Sequence, residues 1–162
     1  MKKMGKIIII LIFGAFFVFP AAAQMEWNVA DIQDIYMQFL RYEGYFPVRD
    51  DDGDIQFRVS GNSYYIIFDE NYPQFVQIYR GIGVSGFSME ETINAANITN
   101  RSVRVVKTSI SGREINGEHR IIASFSIEML LNNPVDLLSV HQRALSLLRH
   151  AENTFTSLIA DN

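Results

Sequence analysis

Apolar residues recur at helical spacing at both ends of the chain and alternate with polar ones in between. Near the start, Val29, Ile32, Ile35, Tyr36, Phe39 and Leu40 fall three and four residues apart, which predicts a helix with one apolar stripe. Asn28 stands where that helix takes its cap, Asp31 lies in the first turn, where the helix dipole favours an acid, and Gly44 supplies a left-handed stop. Near the end, Leu137, His141, Ala144, Leu148, Ala151, Phe155 and Leu158 form a second stripe, widened by Leu138, Leu145 and Ile159. Asn133-Pro134 opens this helix, with cap and first-turn proline in their preferred places. Running to Ile159, it would be roughly 35–40 Å long, enough to lie across a whole small sheet. Core packing is the plainest use of its stripe, and a dimer seam is the alternative. Between them, Ser88-Met89-Glu90-Glu91 reads as a capping box for a short helix through about Asn97.

The alternating stretches read as strands. A short one, Tyr45–Arg49, follows Gly44. Asp54–Ser60 and Ser63–Asp69 flank Gly61-Asn62, a two-residue hairpin signal. Pairing Ser60 with Ser63 sets Val59 opposite Tyr64, Phe57 opposite Ile66 and Ile55 opposite Phe68. Arg58 with Tyr65, and Gln56 with Ile67, then occupy the reverse face. Asn116-Gly117 marks a second hairpin. There Ile115 pairs with Glu118, and Val106, Thr108 and Ile110 lie opposite Ile127, Phe125 and Ala123. Its reverse face carries Ser109 with Ser124, Lys107 with Ser126, and Arg113 with Arg120. Gln74–Arg80 is a further strand whose facing the pattern leaves open. Each hairpin is apolar on one side and largely polar on the other, as in a sheet covered on one face only. The expected fold is therefore α+β: an antiparallel sheet of five or six strands with three helices packed on one face, in the order α-ββββ-α-ββ-α. Phe57, Ile66, Phe125, Ile127, Leu148 and Phe155 should be buried together.

The first residues follow a different rule. Lys2, Lys3 and Lys6 precede Ile7–Phe19, a run without a polar side chain, and Pro20 leads to Ala21-Ala22-Ala23. That order reads as a secretory signal peptide over residues 1–23, with cleavage after Ala23; a retained membrane anchor is the other reading. Residues 24–162 are then one exported domain. They hold 11 basic and 18 acidic groups, a net charge of −7. Such a balance offers no footprint for a polyanion, so nucleic acid is not an expected partner. With no cysteine anywhere in the 162 residues, disulfides, thiolate metal sites and a lipid-anchored cysteine are excluded.

Several stretches approach catalytic or cofactor motifs without completing them. Gly81-Ile82-Gly83-Val84-Ser85-Gly86 matches G-x-G-x-x-G, but the next helix cap is Ser88, the preceding strand belongs to an antiparallel meander, and Arg101 stands where the ribose-binding acid is needed. A glycine-eased crossover is the expected role. Asp50-Asp51-Asp52-Gly53-Asp54 fails as an EF-hand, since aligning Gly53 puts Val48 and Val59 at the required acidic positions. A solvated turn is expected there. His119, His141 and His150 have no metal-ligand spacing, and His141 on the apolar stripe reads as a core histidine with its nitrogens satisfied. Ser85 lacks the second glycine of a nucleophile elbow. No cofactor, metal or catalytic residue is expected, and the protein reads as a non-enzyme. A dispersed, unrecognised active site is the competing class.

The run FLRYEGYFPVRDDDGDIQFRVSGNSYYIIFDENYPQFVQIY resembles the opening of the YbjN-type domain family. There too a helix ends at glycine and leads through an acidic turn into an aromatic-rich meander. Asn94-Ala95-Ala96-Asn97, Val103–Lys107 and Pro134–Ile159 stand where that family places its middle helix, next strand and final helix, so the likeness covers most of residues 29–159. It implies a fold shared with the class I chaperones of type III secretion, which bind extended protein segments. Family members are described as sensory-transduction regulators and bring no catalytic residues to carry over. Familiar members act in the cytoplasm, so a signal peptide makes ordinary secretion chaperoning doubtful here.

One compositional feature points to a surface. Of 16 aromatic residues after Ala23, 14 fall between Trp27 and Phe87, and all seven tyrosines lie between Tyr36 and Tyr79. If Tyr64, Ile66 and Phe68 enter the core, Tyr65 and Ile67 must face the other way, beside Arg58. Tyrosine, a large apolar residue and arginine are favoured at recognition surfaces. Arg58, Tyr65 and Ile67, joined by Tyr79 if its strand presents that side, form the candidate partner-binding patch. Ordinary cross-strand pairing on a half-exposed sheet accounts for the same residues. The expected function is a non-catalytic binding or regulatory module of the bacterial cell envelope, in the periplasm, with a protein or peptide partner. No stable membrane insertion follows signal cleavage, and a homodimer through the long helix stays open.

Overall fold

The computed structural model describes residues 28–160 except Pro134, so the expected signal peptide over residues 1–23 and the expected first-turn proline lie outside the described residues. The element order is α1 (Val29–Tyr42), β1 (Val48–Arg49), β2 (Ile55–Val59), β3 (Asn62–Phe68), β4 (Phe75–Val84), α2 (Met89–Ser102), β5 (Lys107–Ile115), β6 (Glu118–Leu130) and α3 (Asp136–Ala160). All six strands form one antiparallel sheet in the order β1-β2-β3-β4-β6-β5. This is the α+β order expected from the pattern.

Caps start the helices as their sequences require. The Asn28 side chain accepts from the Asp31 N–H at 2.8 Å, and Gly44 adopts φ +83° after the last turn of α1. Ser88 and Glu91 close a full capping box on α2. That helix runs to Ser102, past the expected end near Asn97. Thr92, Ala95, Ala96 and Thr99 bury its inner side, and Thr99 and Ser102 bond back to carbonyls one turn earlier. The stripe is built of small and polar residues, so it carried little hydrophobic signal. In consequence Val103 caps α2, Val106 is buried ahead of β5, and the strand begins at Lys107.

Two further expectations are corrected. The first hairpin turns at Ser60-Gly61 rather than Gly61-Asn62, because this turn needs positive φ at both central residues and Ser60 and Gly61 supply +51° and +83°. Phe57 therefore pairs with Tyr64 and Gln56 with Tyr65. The register differs by two residues, an even step, so every side chain keeps its face. The strand expected at Tyr45–Arg49 shrinks to Val48–Arg49, because Tyr45 turns inward against Phe57, with ring centroids 5.7 Å apart. The second hairpin has the expected register, Ile115 with Glu118 and Thr108 with Phe125.

The core lies between one face of the sheet and the three helices. Ile55, Phe57, Tyr64, Ile66, Val76, Ile78, Ala123, Phe125 and Ile127 enter it from the strands, and Tyr36, Leu40, Leu137, Leu148 and Phe155 from the helices. The six residues expected to be buried together all belong to this cluster.

His141 sits in this core with no exposed surface, enclosed by the rings of Phe39, Phe57 and Tyr45 at 5.2, 5.5 and 6.1 Å. Neither ring nitrogen meets a hydrogen-bonding partner, which corrects the expectation of a satisfied histidine. Burial holds its pKa down to about 4. The unfolded chain, with an ordinary histidine pKa near 6.5, takes up this proton first as pH falls. Stability is therefore complete above about pH 6.5 and drains away toward pH 4. Between pH 7 and pH 5 this one group should remove about 2 kcal/mol. His141→Leu should lose that increment, which urea unfolding of both proteins at the two pH values will measure; equal pH dependence would contradict it.

Candidate functional site

Strand alternation leaves a second face. Residues out of phase with the core project from the side of the sheet away from the helices, and no described element covers them. One row crosses five strands as Gln56, Tyr65, Tyr79, Ser126 and Lys107, each paired with the next. The Gln56 amide donates to the Tyr65 hydroxyl at 3.2 Å, and the Tyr65 and Tyr79 rings lie 5.9 Å apart at 55°. The Tyr79 hydroxyl meets Ser124 Oγ at 3.2 Å. To reach it, the Tyr79 side chain passes over Gly81, where a Cβ would lie 2.7 Å from the phenol oxygen. Gly81 and Gly83 are thus strand residues of β4, paired with Ser124 and Ile122, and only Gly86 (φ +85°) serves the crossover. The glycine run expected as a connection is in large part a floor on which a tyrosine lies.

This face is concave and encloses about 730 Å³. Tyr65, Ile67 and Tyr79 line it, as do small residues of the neighbouring strands such as Gly81, Ser109 and Ser124. Its ends differ in charge. Asp50 and Asp54 stand at the β2 end, and Lys107 and Arg113 at the β5 end. The Asp54 carboxyl is pushed up from its ordinary pKa, first by burial and then by the Asp50 charge, against a hydrogen bond from the Phe68 backbone. Asp50 is occupied locally, since its carboxylate accepts from the Asp52 and Asp54 N–H groups at 3.1 and 2.9 Å. Among the described residues no three His, Asp or Glu side chains gather to hold a metal ion.

Three of the four candidate residues, Tyr65, Ile67 and Tyr79, come together. Arg58 shares their face by strand phase but pairs with Ser63, is exposed, and does not line the cleft. The even shift of the hairpin register moved it away from Tyr65. The β5 and β6 contributions were missing from the patch, although the second hairpin's register already placed Ser109, Ser124, Lys107 and Arg113 on its polar side. Only the β4–β6 pairing joins the two hairpins into one face, and the ambiguous phase of Gln74–Arg80 concealed it.

A second arrangement lies on the core side. Arg80, 7% exposed, points inward from β4 and holds Glu152 of α3 through two hydrogen bonds of 2.5 and 2.6 Å. Its guanidinium stands 5.3 Å from the centre of the Tyr64 ring. The glutamate raises the arginine's pKa still further, so the guanidinium keeps its charge at neutral pH.

The fold and cleft define a class: a helix-backed antiparallel sheet of YbjN-like fold with one open face. No family model matches the sequence, and no curated protein matches it. Among solved structures it is similar to an uncharacterised protein from Methanothermobacter thermautotrophicus, with TM-score 0.54 and 13% identity, over 80% of this chain and 97% of that one. It is also similar to YbjN, a proposed transcription regulator from E. coli, with TM-score 0.56 and 12% identity, over 74% of this chain and 86% of that one. These likenesses establish the fold.

Proposed function

We propose that this protein is a non-catalytic, exported module of the bacterial cell envelope that binds an extended protein or peptide segment on the open face of its sheet. The observation that carries the reading is the cleft itself, where Tyr65 and Tyr79 stand side by side over a floor of glycine and serine. Tyrosines held this way offer broad contact area and a hydroxyl at little cost in side-chain entropy. The N-terminal charge and apolar pattern supports export, and protein recovered from the periplasm should then begin at Gln24. The regulatory description of YbjN fits a binding module, and an acidic chain favours a polypeptide over DNA as the thing bound.

Tyr65→Ala should weaken binding of a partner recovered from envelope extracts by about tenfold or more, with Arg58→Ala having a smaller effect. Neither substitution should shift the melting temperature by more than a few degrees, because neither side chain enters the core. Binding that survives Tyr65→Ala unchanged would remove the open face as the site.

A further inference from the structure

The two edges of the sheet are unlike. One ends in β1, only two residues long, while the other is β5, nine residues long. Long free edges invite another strand, and proteins commonly guard them. Here the guard is Asn100 of α2, whose side-chain carbonyl accepts from the Thr108 N–H at 2.7 Å while its NH2 donates to the Thr108 carbonyl at 2.9 Å. A carboxamide has the donor and acceptor of a peptide unit, so Asn100 fills one position of a strand beside β5. Because the Thr108 backbone faces outward, those of Ile110, Gly112 and Glu114 do so by alternation. Among the described residues, no backbone bond outside the strand pairing reaches them.

The side chains flanking this open stretch specify what it takes. On the cleft side Arg113 lies directly opposite Arg120, a like-charge pair. Arg120 is relieved by Glu118 at 2.9 Å, whereas Arg113 has no ion pair among the described residues. On the helix side Met89 and Ile93, one turn apart on α2, are 39% and 45% exposed. The Met89 methyl stands 3.4 Å from where a Cβ on Gly112 would be.

We propose that β5 accepts an extended peptide as a seventh strand along Ile110–Glu114. The peptide alternates acidic and apolar residues, with its carboxylate toward Arg113 and its apolar side chains on Met89 and Ile93. This rests on the peptide-binding reading, since the acidic side chain enters the same cleft.

The test uses the synthetic peptide Ac-Val-Glu-Val-Glu-Val-NH2 and the mature chain, read by amide hydrogen exchange and titration. The Ile110, Gly112 and Glu114 amides should exchange at least tenfold more slowly with peptide bound. Gly112→Pro deletes an outward N–H and no ladder bond, a substitution edge strands tolerate, and should weaken binding tenfold or more. Arg113→Ala, at an exposed residue, should abolish preference for this peptide over its Gln counterpart. Binding that is unchanged in Gly112→Pro but lost in Tyr65→Ala would overturn the edge and leave the open face standing. Absence of binding by the unaltered protein would overturn this ligand for the edge, while a recovered natural partner sensitive to Tyr65→Ala would still sustain the face.

Discussion

Arg80→Ala should destabilise the protein by about 3–5 kcal/mol, the usual cost of stranding one member of a buried ion pair. Glu152 would remain against the core side of the sheet, its side chain 17% exposed, without the two hydrogen bonds that satisfy it. Glu152→Ala should cost a similar amount, because Arg80 would keep only a long bond to the Ser63 carbonyl, at 3.4 Å, and the face of Tyr64. The double change Arg80→Met with Glu152→Leu should recover most of the loss, since apolar side chains of similar volume need no partner there. Urea unfolding of the parent and the three variants measures these differences. Single substitutions within about 1 kcal/mol of the parent would show that the pair is open to water.

Phe125→Ala should cost about 3–5 kcal/mol, and Ser124→Ala less than about 1. Phe125 is fully buried, with its ring centroid 5.6 Å from that of Phe155 on the long helix, so truncation leaves a cavity where sheet and helix meet. Ser124, its neighbour in β6, faces the open side and gives up only its bond to the Tyr79 hydroxyl. The two residues differ by one step along the strand, so equal destabilisation would mean that the faces are assigned wrongly.

The sequence made these faces legible because apolar and polar residues alternate cleanly in both hairpins, and parity survives an even register error. Arg80 was harder to read. It occurs in phase with Val76 and Ile78, but Phe75 and Tyr79 made the opposite phase of β4 equally apolar. A charge in the core phase requires a partner, and no spacing in a sequence points from β4 to Glu152, 72 residues on. The same ambiguity hid the joining of the hairpins, and with it the Lys107 and Arg113 end of the cleft. The Asn100 clamp was illegible for a different reason. The polar stretch Asn97–Ser102 has no apolar stripe, and its helical state comes from packing and backbone capping rather than from local pattern.

The central claim, that the open sheet face holds a polypeptide, is tested most directly by position-specific crosslinking in the cell envelope. A photoreactive side chain at Ser109, exposed on the floor of the cleft, should form a covalent adduct with a partner polypeptide. The same group at Ser146, exposed on the outer side of α3, should form none. Adducts from Ser146 with none from Ser109 would contradict the account and move the binding surface to the helical side.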